Sequence, residues 1–145
     1  MNQMESLLNR CAFAIFFVAT LLIYPYRASE GFSAIPGDLI DPRFNSFILE
    51  HLYRWATGAE AFLWSPNYFY PFEHTLGFSE THFGASILYV TSRLFGASRE
   101  WALLIWFVCG VMLNYIACYY VLIRLQFSRF ASACAACYFA SALPA

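Results

Sequence analysis

The chain has 145 residues, of which 61% are hydrophobic, 21% aromatic and only 12% charged, about half the charged share of a soluble domain. Its net charge of -1, with all eight cationic residues being arginine, excludes a surface built for a polyanion, and no basic run suited to nucleic acid occurs. Water is therefore not the main solvent of this sequence, and nucleic acid is not its partner.

The first apolar stretch, from Cys11 to Tyr26 with Leu7 and Leu8 ahead of it, predicts a membrane span over about 7–26. A cleaved signal peptide is the rival reading. Tyr26, Arg27 and Ala28 speak against it, because a bulky residue stands where the cleavage site needs a small one. Residues 27–79 then hold six of the nine acidic residues and four of the six prolines, which rules out a lipid-facing span and predicts a structured outer loop. A second span is expected at about 80–95, capped by Ser79 and stopped by Gly96. The third, at about 101–123, is apolar almost throughout, with Asn114 its one strongly polar residue. A fourth, at about 130–143, is rich in Ala, Ser and Cys, the small residues that let membrane helices approach closely. The fold class expected is therefore an all-α membrane protein of about four transmembrane helices. The sequence stops at Pro144 and Ala145 directly after the fourth segment, and the expectation is that it is the front part of something longer.

Cys11, Cys109, Cys118, Cys134 and Cys137 all fall in apolar segments, where they read as small packing residues. Cys134 and Cys137 form a C-x-x-C, but no strand precedes it as a redox fold requires. Placing the N-terminus in the cytoplasm puts Arg10, Arg93 and Arg99 inside and the long loop outside.

Within the loop, Asp41-Pro42 ahead of an amphipathic stretch and Gly58 after it predict a helix over about 42–57. Phe44, Phe47, Ile48, Leu52 and Trp55 share one face, expected to lie against the membrane surface. Asp38 and Asp41 bracket the start of this helix, with Arg43, Asn45, Glu50 and His51 close behind. One reading makes Asp41 a cap, Asp38 part of a Pro36-Gly37-Asp38 turn, and Arg43 and Glu50 solvated. The other makes a carboxylate at the membrane surface a general base, with arginine nearby for a phosphate. Further on, Trp64, Tyr68, Phe69 and Tyr70 suit an interfacial anchor. Glu80 and His82 form a second polar cluster at the expected start of the second span. They are two ligands without a third, which is a weak metal site.

Three stretches, GDLIDPRFNSFILEHLYRW (37–55), LWSPNYFYP (63–71) and TLGFSETHFG (75–84), together with the first span, resemble the first outer loop of bacterial multispanning membrane glycosyltransferases of the GT-C class. That resemblance implies an inner-membrane, multi-pass transferase that takes a sugar from a polyprenyl-phosphate donor to an extracytoplasmic acceptor. By position in the loop, Asp41 or Asp38 would be the catalytic base, Arg43 and Arg54 would meet the donor phosphate, and Glu80 with His82 would be a second polar or metal cluster. A divalent metal is compatible with the class without being universal in it. GT-C enzymes have eight or more spans, so 145 residues on their own would lack part of the donor cavity. The alternative is a non-catalytic multispanning protein, such as an accessory subunit or a truncated gene product, whose loop acids only cap and solvate. A transporter fits less well, because ionisable residues lie only near the ends of the expected spans.

Overall fold

The computed structural model describes residues 3–36, 41–78 and 80–142. Asp38, Gly37 and the expected cap Ser79 lie outside the described residues. Among the described residues the chain is all-helical without strands: α1 (Gln3–Ile23), α2 (Pro25–Ala28), α3 (Asp41–Ala56), α4 (Ser86–Leu94), α5 (Arg99–Arg124) and α6 (Arg129–Ser141). Two apolar stretches, Cys11–Ala28 and Arg99–Arg124, are long enough to cross a membrane.

The helix boundaries follow from local chemistry. Pro25 lacks the N–H that would continue α1, so the chain restarts there as the short α2. At the end of α3, Gly58 takes φ +78°, and the N–H groups of Gly58 and Ala59 bond back to Trp55 and Arg54. Gly96, at φ +89°, ends α4 in the same way, with its own N–H on Arg93 and that of Ala97 on Ser92. These left-handed stops favour glycine because the positive φ itself strains a residue that carries a Cβ, although the space beside both glycines is open. The Ser98 hydroxyl accepts the Trp101 N–H at the start of α5, and Ser128 does the same for Ala131 before α6; each satisfies one of the orphan donors of a helix N-terminus.

The chain divides into two compact units, Met1–Ala34 with Phe107–Ala145, and Ile35–Trp106. In the first, α1 runs antiparallel to α5, since Tyr24 meets the ring of Phe107 while Phe13 meets Tyr115 and Tyr119. Tyr115 is fully buried and donates its hydroxyl to the Phe13 carbonyl at 2.8 Å, which satisfies the polar tip that an aromatic helix interface would otherwise strand. Helix α6 brings its small residues Ala136, Cys137 and Ala140 to the same core. All five cysteines are free thiols.

In the second unit, α3 packs on α4 and on the start of α5. Leu49 meets Tyr89, Ala102 and Leu103, while Ile48 and Leu52 meet Leu76. The loop between these helices is pinned by the Leu76 N–H on the Trp64 carbonyl at 3.1 Å and by His51, whose Nε2 lies 2.9 Å from the Leu63 carbonyl.

Three expectations change. The apolar stripe of α3 is expected to face the membrane, but its Ile48 and Leu52 are 2% exposed because protein covers them, and only Trp55 at its end is exposed, at 39%. In place of a second span over 80–95 there is a helix of nine residues, about 13 Å long at 1.5 Å per residue, well short of a hydrocarbon core of about 30 Å. Finally, Arg93 and Arg99 bond directly to side chains of α3. Both are thus engaged in pairing within the Ile35–Trp106 unit, where the charge count treats them as free flanking charges.

The tight apposition of small residues predicts that Ala136→Leu destabilises the first unit by about 1–3 kcal/mol through overpacking. Loss of helical circular dichroism on heating in detergent should come at a lower temperature, and an unchanged midpoint would contradict the close packing at Ala136.

Candidate loop site

Residues Ser46, Glu50 and Tyr53 recur at helical spacing on α3 and meet the buried edge of α4, where Tyr89 and Arg93 follow the same spacing. Glu50 is the centre of this seam. Its Oε2 accepts the Tyr89 hydroxyl at 2.6 Å and Nε of Arg93 at 3.1 Å, and its Oε1 accepts Nη2 of Arg93 at 3.0 Å. The fork of Arg93 thus holds the carboxylate in the planar two-point geometry that only arginine supplies. The remaining face of Arg93 is also used: Nη1 donates to the Ala97 carbonyl at 2.7 Å, and the guanidinium lies 4.8 Å over the Tyr53 ring. The hydrogen bond from Arg93 to Glu50 raises the arginine pKa further. Burial, reinforced by the bond to Glu50, pushes the Tyr89 phenol up as well, so Tyr89 stays a neutral donor. With both oxygens engaged, Glu50 is a structural anion and is not available as a base.

Next to this seam, Nε of Arg99 donates to Ser46 Oγ at 2.9 Å. Arg99 lines two clefts on the exposed edge of α3. One, of about 230 Å³, is bordered by Arg43, Ser46, Arg99 and Glu100; the other, of about 110 Å³, by Glu50, His51, Arg54, Glu60 and Arg99. The first brings together two guanidinium groups, a hydroxyl and the single carboxylate of Glu100 beside the first turn of α3, a net cationic combination suited to an anion.

Of the residues singled out in the sequence, Asp41 is the first of α3 and is exposed, and Arg43 lies two residues on, lining the larger cleft. Arg54 is engaged elsewhere, with Nη2 on Glu60 at 3.1 Å. Eleven residues separate Arg43 from Arg54, about 16 Å of helix, so the two do not share one phosphate. His82 and Glu80 do approach each other, at 3.6 Å, but the closer partner of His82 is Asn45 on α3, whose Oδ1 lies 2.9 Å from Nε2. The Trp106 ring meets the imidazole edge-on. Burial lowers the His82 pKa from its ordinary 6.5, against an opposing pull from Glu80, so the ring is a neutral tether that fastens its segment to α3. Among the described residues no group of three His, Cys, Asp or Glu side chains converges on a metal-sized position.

Glu50, Tyr89, Arg93 and Arg99 were not among the sequence candidates. The signal was there in part: Ser86, Tyr89 and Arg93 share one face of α4, and the arginine on that face calls for an acidic partner. Which acid it would find depends on a pairing 43 residues away, which helical periodicity does not carry. No family model, curated protein or solved structure matches the chain.

Two outcomes follow from this geometry. Glu50→Gln should leave Arg93 without its counter-ion in a half-buried seam and lower the stability of the Ile35–Trp106 unit by on the order of 2 kcal/mol, measured by protection of its amides from hydrogen exchange. Unaltered protection would mean that the pair contributes nothing. For His82, the folded state resists protonation while the unfolded chain titrates near 6.5, so the unfolded chain binds more protons below that pH. Its contribution is complete above about pH 6.5 and is lost as pH falls toward the depressed folded value. Thermal midpoints should drop between pH 7.5 and 5 by less in His82→Gln than in the parent.

Proposed function

We propose that this chain is the N-terminal part of a bacterial inner-membrane glycosyltransferase of the GT-C type, with α1 and α5 crossing the bilayer and the residues between them forming its extracytoplasmic loop. The observation that carries this reading is the cleft lined by Arg43, Ser46, Arg99 and Glu100, with Arg43 two residues after Asp41, the first residue of α3. A carboxylate beside a paired-arginine pocket is what transfer from a phosphate-linked sugar requires.

In this mechanism the Asp41 carboxylate accepts the proton of an acceptor hydroxyl as that oxygen bonds to the anomeric carbon of the donor. The bond between the anomeric carbon and the phosphate oxygen breaks, and its electron pair leaves with the polyprenyl phosphate, whose charge Arg43 and Arg99 meet. Arg99 takes the place that the sequence gave to Arg54. Glu80 and His82 support α3 through Asn45 and stand outside the chemistry. Asp38 is the other loop carboxylate proposed as base.

A second reading, a non-catalytic membrane protein, draws support from how much of the loop's polarity is consumed internally: Glu50 by Arg93 and Tyr89, Arg54 by Glu60, and His82 by Asn45.

Membranes containing the protein, supplied with a radiolabelled polyprenyl-phosphate hexose, separate the two readings. Asp41→Asn should reduce transfer by about 10²- to 10⁴-fold, the usual worth of a general base, with the protein still present in the membrane. Arg99→Ala should raise the KM for the donor by roughly tenfold, the equivalent of one lost charged contact. Transfer at the parent rate in Asp41→Asn and in Asp38→Asn would sink the catalytic reading.

A further inference from the structure

Helix α4 has its polar side turned inward. Its polar face, with Ser86, the Tyr89 hydroxyl and Arg93, is turned into the protein against α3. Its other face presents Ile87 at 68% exposure and Leu94 at 64%, with exposed Thr91 between them, and is continued beyond the helix by Phe95 at 89%. For a helix facing water this is inverted, since an amphipathic helix there keeps its apolar stripe inside and its charge outside. The same order is natural where the outer medium is hydrocarbon, in which an arginine and a carboxylate must pair with each other and apolar side chains face out freely.

Beside this face lies a mainly apolar cleft of about 340 Å³, formed by the end of α3 and the flank of α4 and lined by Leu52, Trp55, Phe83, Ile87 and Val90, with the hydroxyl residues Ser86 and Thr91 at its α4 side. The rings of Trp55 and Phe83 stand 6.4 Å apart at its side. What occupies it follows from the chain itself. Only residues 95–98 separate α4 from α5, one of the two helices long and apolar enough to cross a membrane. A stretch of four residues reaches about 14 Å at most, so where α5 enters a bilayer α4 stays within about that distance of the point of entry.

We propose that α4 is an in-leaflet helix and that the cleft between it and the end of α3 seats an acyl chain of a bilayer phospholipid. Ile87, Val90 and Leu94 meet the hydrocarbon, Trp55 stands at the cleft mouth as an interfacial ring, and the Glu50–Arg93 pair holds the helix to α3 from the protein side. This rests on the reading that α5 crosses the bilayer and sets α4 apart from the rest of the outer loop, but not on the catalytic role of Asp41, since it concerns a different face of the unit.

The test is photocrosslinking with benzoylphenylalanine introduced at Ile87, at Leu94 and, as a control beyond the glycine stop of α3, at Ala59, each in the whole protein reconstituted into phosphatidylcholine vesicles. After illumination, mass spectrometry should find the protein increased by the mass of one phosphatidylcholine from positions 87 and 94 and not from 59. All three positions are exposed, so the probe itself does not disturb the core. Absence of lipid adducts at 87 and 94, their replacement by adducts to protein segments, or equal lipid adducts at 59 would each overturn the proposal. Loss of sugar transfer in Asp41→Asn would leave the result untouched, so the two ideas fail separately.

Discussion

The loop unit depends on one charge pair placed where neither partner has an alternative. Glu50 and Arg93 are each largely withdrawn from solvent, with side-chain exposures of 17% and 23%, and a carboxylate or guanidinium in that setting is stable only when fully partnered. Two-point pairing with Arg93 and a third bond from Tyr89 complete Glu50, and the Ala97 carbonyl with the Tyr53 ring completes Arg93. Apolar packing of Leu49 on Tyr89 and Leu103 would hold α3 near α4 in several registers. The fork of hydrogen bonds selects one, and with it the positions of Ser46 and Arg99 that shape the larger cleft. Whether the pair adds net stability over an apolar replacement is secondary to this registry role, the best-attested use of a buried ion pair.

How much of this was legible in the sequence divides by range. The long apolar helix α5, expected over about 101–123, is present as Arg99–Arg124, because an unbroken run of apolar residues between arginines leaves few alternatives. Helix α3, expected over about 42–57, runs over Asp41–Ala56, since Asp-Pro before it and Gly58 after it are local signals that need no tertiary information. The fate of its apolar face was not local. The same stripe suits a lipid surface or a protein partner, and only the arrival of Leu76, Tyr89 and Leu103 from later in the chain decides for protein. At residues 80–95 hydropathy suggested a crossing, but the positive φ of His82 (+47°) and its bond to Asn45 hold the first part of that segment on α3, leaving nine residues of helix.

The candidate site was half legible for the same reason. Asp41 and Arg43 stood out because they cluster in sequence around a helix start. Arg99 belongs to the cleft through Ser46, 53 positions away, and in the sequence it counted only as a charge flanking a span. Arg54 made the opposite error: it sits on the same helix as Arg43 and so looked like a companion, whereas three helical turns and the Glu60 carboxylate separate it from the cleft.

The two units differ in how they are written along the chain, and this bears on the order in which they can form during synthesis. Every contact that closes the loop unit lies within Ile35–Trp106, so it is complete once the first turns of α5 have emerged. The other unit joins Met1–Ala34 to Phe107–Ala145 across that whole insertion, and its first helix must wait for partners made more than seventy residues later. Loop closure grows only slowly more unfavourable with length, and an already folded insertion reduces the effective separation to the distance between its two ends. A loop that folds first would in this way act as a staple for the helices that flank it, making early closure of the Glu50–Arg93 seam a matter of assembly as well as of the finished structure.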